Sequence, residues 1–219
     1  MPAACSDDDT QTPEVTPDDG RRRPPGTPEY WFQGSKTILK LGRTDHSVIG
    51  VARARGPLED WYDLRAGILS RVKLSEGAYI RGGYFARGFN ALGGGHQTEH
   101  RIFGGPVIDL WWDKPHARYL GLVERFIGRP NREAFTRHRH RLDIEKQRLG
   151  YTPFVYEELF MLGANLIRSR TRAGLRYKVS DGRRLDLAYQ FEWMKVDQRW
   201  GPRHSVVLIY SRGVPIDDY

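Results

Sequence analysis

Seven histidines, one cysteine and a dense population of arginines and acids are the residues here with chemistry to offer. His138 and His140 lie two apart, so a strand would carry both imidazoles on one face, where they could meet one ion. A zinc site needs a third ligand, and none is identifiable, so neither a metal nor a cofactor is expected. His204 and Ser205 are neighbours, and neighbours on a strand point to opposite faces, so they make no nucleophilic dyad. Gly88 to Gly95 is glycine-rich but lacks the Lys-Ser/Thr of a phosphate cradle, and no helix follows it. Cys5 alone excludes an internal disulfide and a cysteine-based zinc site. No catalytic residue emerges, and the expectation is a protein that is not an enzyme.

The remaining chemistry is charge, and it is arranged in files. From Ile167, one file reads Ile167, Ser169, Thr171, Ala173, Leu175 and Tyr177, and the other reads Arg168, Arg170, Arg172, Gly174, Arg176 and Lys178. After Ser180-Asp181-Gly182, Leu185, Leu187, Tyr189, Phe191 and Trp193 form one file, and Arg184, Asp186, Ala188, Gln190, Glu192 and Met194 the other. Period-2 alternation of this length predicts two strands with unlike environments on their faces. A three-residue loop, with left-handed Gly182 in it, keeps the files in register. Tyr177 then faces Leu185, Leu175 faces Leu187 and Thr171 faces Phe191, while Arg176 meets Asp186 and Arg170 meets Glu192. Opposite charges across a strand pair contribute up to about 1 kcal/mol each. The charged face therefore reads as an interior lattice and the apolar face as a surface against something greasy.

These strands run about a dozen residues, whereas strands in soluble proteins average about 5–6 and a tilted strand crosses a bilayer in about 9–11. The same pattern recurs along the chain. Strands are predicted at Tyr30–Leu41, His46–Arg55, Trp61–Val72, Ala78–Arg87, His96–Trp112, Ala117–Ile127, Phe135–Leu149, Thr152–Leu162 and His204–Arg212, besides the hairpin. Glu99 and Arg101 share one file, as do Arg137, Arg139, Arg141, Asp143, Glu145 and Gln147. Trp111 and Trp112, at a strand end beside a turn, suit a membrane-interface girdle. Connections are expected to alternate between short turns and longer loops, with Val196–Arg203 among the loops, as in outer-membrane barrels. The count is eleven, whereas a bacterial barrel with both ends in the periplasm needs an even number. The expectation is thus a ten-stranded barrel with Tyr30–Leu41 as an extra segment, or a twelve-stranded one with a strand split or missing.

Composition narrows the class. The chain has 219 residues, 35 Lys+Arg and 27 Asp+Glu, a formal net charge of +8. Residues 1–28 hold six acids and three arginines, so the remainder carries about +11. That charge suits nucleic acid or anionic lipid. The arginines alternate with apolar residues instead of clustering on a helix or loop, which argues against nucleic acid. No hydrophobic run reaches the about 18 residues of a spanning helix. A mean hydropathy of −0.63 leaves a barrel open, since half of each strand would face lipid. Residues 1–28, rich in Asp, Thr and Pro, cannot bury a core and are expected to be a disordered tail before a barrel domain over 29–219. Met1 to Cys5 has neither the charged nor the apolar region of a signal peptide, though Pro2-Ala3-Ala4-Cys5 is similar to the end of a lipoprotein signal. The expectation is that the true start lies upstream and carries a signal.

Certain short motifs resemble a known family. Glu99-His100-Arg101-Ile102-Phe103, Glu124-Arg125-Phe126, Arg137-His138-Arg139-His140-Arg141-Leu142 and Arg172-Ala173-Gly174-Leu175-Arg176-Tyr177 resemble the bacterial family called domain of unknown function 2490, over about residues 30–212. The resemblance implies an exported outer-membrane β-barrel, and it implies no catalytic residues.

The expected fold is all-β: a single antiparallel up-and-down β-barrel of about 10–12 strands, of transmembrane type. Glu99, Arg101, Arg137, Arg139, Arg141, Asp143, Glu145, Arg170, Arg172, Arg176, Asp186 and Glu192 are expected to line an ion-paired lumen. Trp111, Trp112, Tyr177, Leu185, Leu187, Tyr189, Phe191 and Trp193 are expected to face lipid or its interface. The expected partners are outer-membrane lipid and a small solute, with no nucleic acid. Its function would be structural or that of a narrow pore in the bacterial outer membrane. Two alternatives stay open. A soluble calycin-like barrel binding a small apolar ligand would turn the apolar file inward. An envelope lipid hydrolase would bring a histidine, a serine and a carboxylate together.

Overall fold

The computed structural model describes residues 28–213 except 57–59, 91–95, 112–114, 129–132, 149 and 197–198. The first 27 residues, where the tail was expected, lie outside them. Eleven strands follow one another: β1 (Glu29–Leu41), β2 (Thr44–Arg55), β3 (Asp60–Ser75), β4 (Ala78–Asn90), β5 (His96–Trp111) and β6 (His116–Ile127) come first. They continue as β7 (Phe135–Glu145), β8 (Tyr151–Leu162), β9 (Asn165–Ser180), β10 (Arg183–Val196) and β11 (Arg199–Arg212). Each pairs with the next, and β1 pairs with β11, so the sheet closes into a barrel.

The closure resolves the parity problem. Up-and-down order makes every neighbouring pair antiparallel, but with eleven strands the first and last run the same way. The β1–β11 seam is therefore parallel, from Glu29↔Val207 to Gly34↔Arg212. Neither the ten- nor the twelve-stranded count holds, and the antiparallel expectation fails at this one seam. The start of β1 and the end of β11 lie at opposite ends of the barrel. We call them the N-terminal end and the turn end. The parallel pairing stops at Gly34, and a recess of about 730 Å³ opens there, lined by Ser35, Lys36, Gly182, Arg183 and Arg212 among others.

The predicted hairpin register is present: Tyr177↔Leu185, Leu175↔Leu187, Thr171↔Phe191, Arg176↔Asp186 and Arg170↔Glu192 are all partners. The loop differs in detail. Ser180 pairs with Arg183, and the odd residue is absorbed as a bulge at Val179 instead of in a three-residue loop. Gly182 has φ +69°, which supplies the left-handed turn residue.

Other boundaries need correction. β7 stops at Glu145 instead of Leu149, and β5 at Trp111. The expected Val196–Arg203 loop is mostly strand, because Trp200-Gly201-Pro202 pair with β10. Proline is tolerated there because this part of β11 precedes the β1 seam and borders β10 alone. Only two residues separate β10 from β11, and four separate β5 from β6, so short and long connections do not alternate strictly.

The wall is tightly coiled where inward glycines let strands approach. A Cβ on Gly67 would lie 2.0 Å from the Tyr84 carbonyl oxygen and 2.9 Å from the Phe85 ring. The obstacle is backbone, which cannot swing aside. Gly67→Ala is expected to cost about 1–3 kcal/mol, the range for overpacking. A lowered urea midpoint of the refolded chain would show it, and an unchanged midpoint would mean the β3–β4 contact can spread.

Candidate functional site

Alternation decides what the barrel puts inside. Along β9 and β10 the arginine–acid file points inward: Arg170, Arg172, Asp186, Gln190 and Glu192 are buried. The opposite file is the outer wall, with Leu187 49 % exposed, Tyr189 51 % and Trp193 41 %. Tyr177 and Phe191 are also exposed, and Leu185, on the same file, is half-buried. Trp112 and the side chain of Trp111 lie outside the described residues. This is the reverse of a soluble ligand-binding barrel, whose apolar file would point in. Among the described residues, eleven arginines and seven carboxylates are buried.

Near the N-terminal end these charges form a circuit that touches every strand. Glu29 on β1 accepts from Trp31 (3.0 Å), Tyr62 (3.0 Å) and Arg203 of β11 (3.1 Å). Arg203 lies 3.7 Å from Glu192 of β10, which also pairs with Arg168 of β9. Glu158 of β8 is shared by Arg170 and Arg139, and Arg139 reaches Glu124 of β6 at 4.0 Å. Glu124 takes Arg101 of β5 at 2.8 Å and Arg137 of β7 at 2.7 Å. Arg87 of β4 spans Glu99 (3.6 Å) and Asp63 of β3 (3.0 Å). Asp63 also holds Arg65 at 2.5 Å and Arg53 of β2 at 3.6 Å. The Arg53 guanidinium lies 3.7 Å from the Trp31 ring centre, which returns the circuit to β1.

Each strand arrives at this level with a charged or aromatic residue on its inward file. A buried carboxylate is tolerated when guanidiniums satisfy its lone pairs, because isolated burial costs several kcal/mol. No strand pair alone completes the circuit, so the charges meet as one network only when the wall is closed.

Towards the turn end the same inward files become apolar. Ile49, Leu69, Phe85, Phe103, Val107, Leu120 and Leu122 form one cluster, Trp31, Val207 and Ile209 a second, and Phe154, Tyr156 and Ala188 a third. Arg172 crosses this layer: it donates to Gln190 and sits 4.3 Å from the Trp31 ring centre and 5.1 Å from that of Tyr156. Beyond lies a second charge cluster, in which Arg141 and Asp186 are buried and the others half-buried. Arg176 joins Glu145 (2.5 Å) to Asp186 (3.3 Å), Arg141 holds Asp143 (2.6 Å), and His116 lies 3.2 Å from Asp109. The lumen is thus stacked charge, aromatic and charge. The void inside the arginine ring is about 20 Å³, room for about one water.

All twelve residues expected in the lumen point into it, but not always with the expected partner. Arg170 is in register with Glu192, yet it bonds Glu158 on its other side and keeps only 3.9 Å to Glu192. Arg172 finds an amide and two rings where an acid was expected. The sequence reading missed Glu29, Arg53, Asp63, Glu124 and Glu158 as site residues. Their signal was available in part: Asp63 and Arg65 share a file, and Glu124 lies in a recognisable strand.

No family model matches this chain, and no curated protein or solved structure matches it. The chemistry must therefore be judged from the site alone.

His138 and His140 face outward. His140 Nδ1 meets the Tyr119 hydroxyl at 2.7 Å, and no group of three metal-ligating residues occurs among the described residues. Ser70 Oγ and His46 Nδ1 meet at 2.8 Å on the outer wall, but no carboxylate bonds this histidine among the described residues. His204 bonds Tyr189 at 2.9 Å and not Ser205, which is buried on the inward file. On the exposed β9–β10 turn, Lys178 donates to Asp181 at 2.6 Å, and this hydrogen bond and charge hold the Asp181 carboxyl below its usual range.

Proposed function

We propose that this protein is an integral β-barrel of the bacterial outer membrane with a structural, non-enzymatic role and a lumen closed to solute flow. The observation that carries this reading is the inside-out distribution of polarity. Charge is buried in the lumen, while Leu64, Ile68, Ile102, Val123, Leu187 and Tyr189 stand exposed on the wall. Monomeric proteins in water seldom expose large contiguous apolar patches, whereas lipid favours such a wall and a barrel leaves no unpaired edge within it.

Strand lengths fit the same reading. They run from 11 residues in β7 to 16 in β3, β5 and β9, and a tilted strand spans a bilayer in about 9–11. Aromatic pairs on the wall near both barrel ends suit interface girdles. Phe32 and Trp61 lie 5.7 Å apart near the N-terminal end, and Tyr151 and Tyr177 lie 6.4 Å apart near the turn end. The motif resemblance to domain of unknown function 2490 implies the same placement.

Stacked side chains fill the lumen, which supports a structural role over a narrow pore. Trp31, Arg139, Arg172, Tyr156 and Phe85 are all fully buried in it. Membrane fractionation of the native gene product, expressed with its upstream region and washed with carbonate, tests the location. The protein is expected to stay in the outer-membrane pellet. Release into the soluble fraction would overturn the proposal. Planar-bilayer recording is expected to show no steady conductance steps.

A further inference from the structure

The recess at the end of the seam holds three cations that no acid satisfies. Lys36, Arg183 and Arg212 line it, all exposed, and none has an ion-pair partner among the described residues. Arg183 and Arg212 are register partners across β10 and β11, and like charges directly opposite destabilise a strand pair. Asp181, the acid among the lining residues, is held by Lys178 at 2.6 Å. The level of these cations on the wall is defined by their neighbours. Tyr151, Tyr177, Leu185 and Tyr210 follow one another in register, and Arg183 and Arg212 lie one outward step beyond them toward the turn end. Aromatic girdles sit at the depth of lipid headgroups, so the cations stand at that depth or just outside it. The rest of the recess is low and apolar. Gly34 and Gly50 are partners across β1 and β2 and put no side chain on the wall there, and Val48 beside them is 41 % exposed.

Water hydrates such cations without neutralising them, and a halide brings one charge and no directional acceptors. A phosphate group brings negative charge and several acceptor oxygens, which suit the planar forks of two facing arginines. The glycine floor decides the source of that phosphate. A free phosphate has no use for the floor, whereas an acyl chain lying down the wall passes over Gly34 and Gly50 without obstruction. We propose that the seam recess binds one anionic phospholipid, with its phosphate on Lys36, Arg183 and Arg212 and a chain along the β1–β2 glycines. This site presupposes the membrane placement proposed above and adds a specific lipid to it. The parallel seam creates the recess, because β11 ends at Arg212 while β1 runs on to Leu41.

Native mass spectrometry of the full chain, refolded in zwitterionic detergent and titrated with phosphatidylglycerol or phosphatidylcholine, tests this. One phosphatidylglycerol per chain should be retained along a saturating curve, and phosphatidylcholine more weakly. Arg183→Gln and Arg212→Gln should each weaken retention about fivefold, the worth of one cation near an anionic headgroup. Gly50→Leu should weaken it too. A Cβ there meets nothing closer than the Arg65 carbonyl oxygen at 3.9 Å, so the new side chain fills the floor without a backbone clash. Equal retention of the two lipids, or unchanged retention in both arginine variants, overturns the proposal. So does full competition by inorganic phosphate with no effect of Gly50→Leu, which would mean a site for free phosphate. If phosphatidylglycerol is retained only after Asp217→Asn and Asp218→Asn are combined, the chain's own acids hold the recess, and the proposal also falls. The carbonate wash reads the location separately: a chain that stays in the membrane pellet but retains no phosphatidylglycerol refutes the lipid site alone.

Discussion

Asp63→Asn is expected to lower the stability of the folded barrel by about 3–5 kcal/mol, the cost of breaking a buried charge cluster by removing one partner. Asp63 is 1 % exposed. Its two oxygens take Arg65 at 3.0 and 2.5 Å and Arg87 at 3.0 and 3.2 Å, with Arg53 at 3.6 Å. The amide keeps the shape, loses the charge and points a donor at a guanidinium. Three cations on β2, β3 and β4 then lose a shared anion in a site where water cannot replace it. Urea titration of the chain refolded into detergent or lipid vesicles measures the loss. Asp181→Asn is the control: its carboxylate is fully exposed on the β9–β10 turn, and its midpoint should match the parent. If Asp63→Asn matched the parent as well, the ring would have to be solvated, and the closed lumen would be wrong.

Leu187→Arg is expected to cost about 2–4 kcal/mol in a bilayer, the penalty for an arginine on the lipid face near its midplane. Leu187 stands on the outer wall in mid-β10, across from Leu175 on β9 and Leu208 on β11. Depth is the discriminating variable. Val179, 59 % exposed beside the β9–β10 turn, should tolerate arginine at about 0–1 kcal/mol, the value near the interface. Membrane yield after a carbonate wash and the unfolding midpoint in vesicles give the two readouts. Equal costs at the two depths, or normal insertion of Leu187→Arg, would mean that the wall does not face lipid.

Much of this molecule was legible along the chain because strand geometry is local. A period of two assigns each residue to a face, and a turn of known length fixes the register of the two strands it joins. That is why Arg176↔Asp186 and Leu175↔Leu187 could be named in advance, and why β7 could be read as one charged file. The loop detail was harder, because a bulge at Val179 and a longer loop give the same register beyond it. Boundaries such as the start of β11 depend on whether Pro202 has a neighbour on its far side, which the chain does not reveal locally.

Closure belongs to the tertiary structure. Eleven strands could leave a stray segment or make an odd barrel, and the choice rests on whether Glu29–Gly34 finds Val207–Arg212 across the whole length of the chain. The partners of the lumen charges follow from that closure. Glu158 is in register with Arg141 on β7 and Arg170 on β9, and it bonds Arg170 together with Arg139, two residues before Arg141. Arg172 meets Trp31 only because closure through β10 and β11 brings β9 within reach of β1. Alternation is a property of neighbouring residues and survives in any register. A ring of shared charges is a property of all eleven strands together, and it exists only once the barrel has closed.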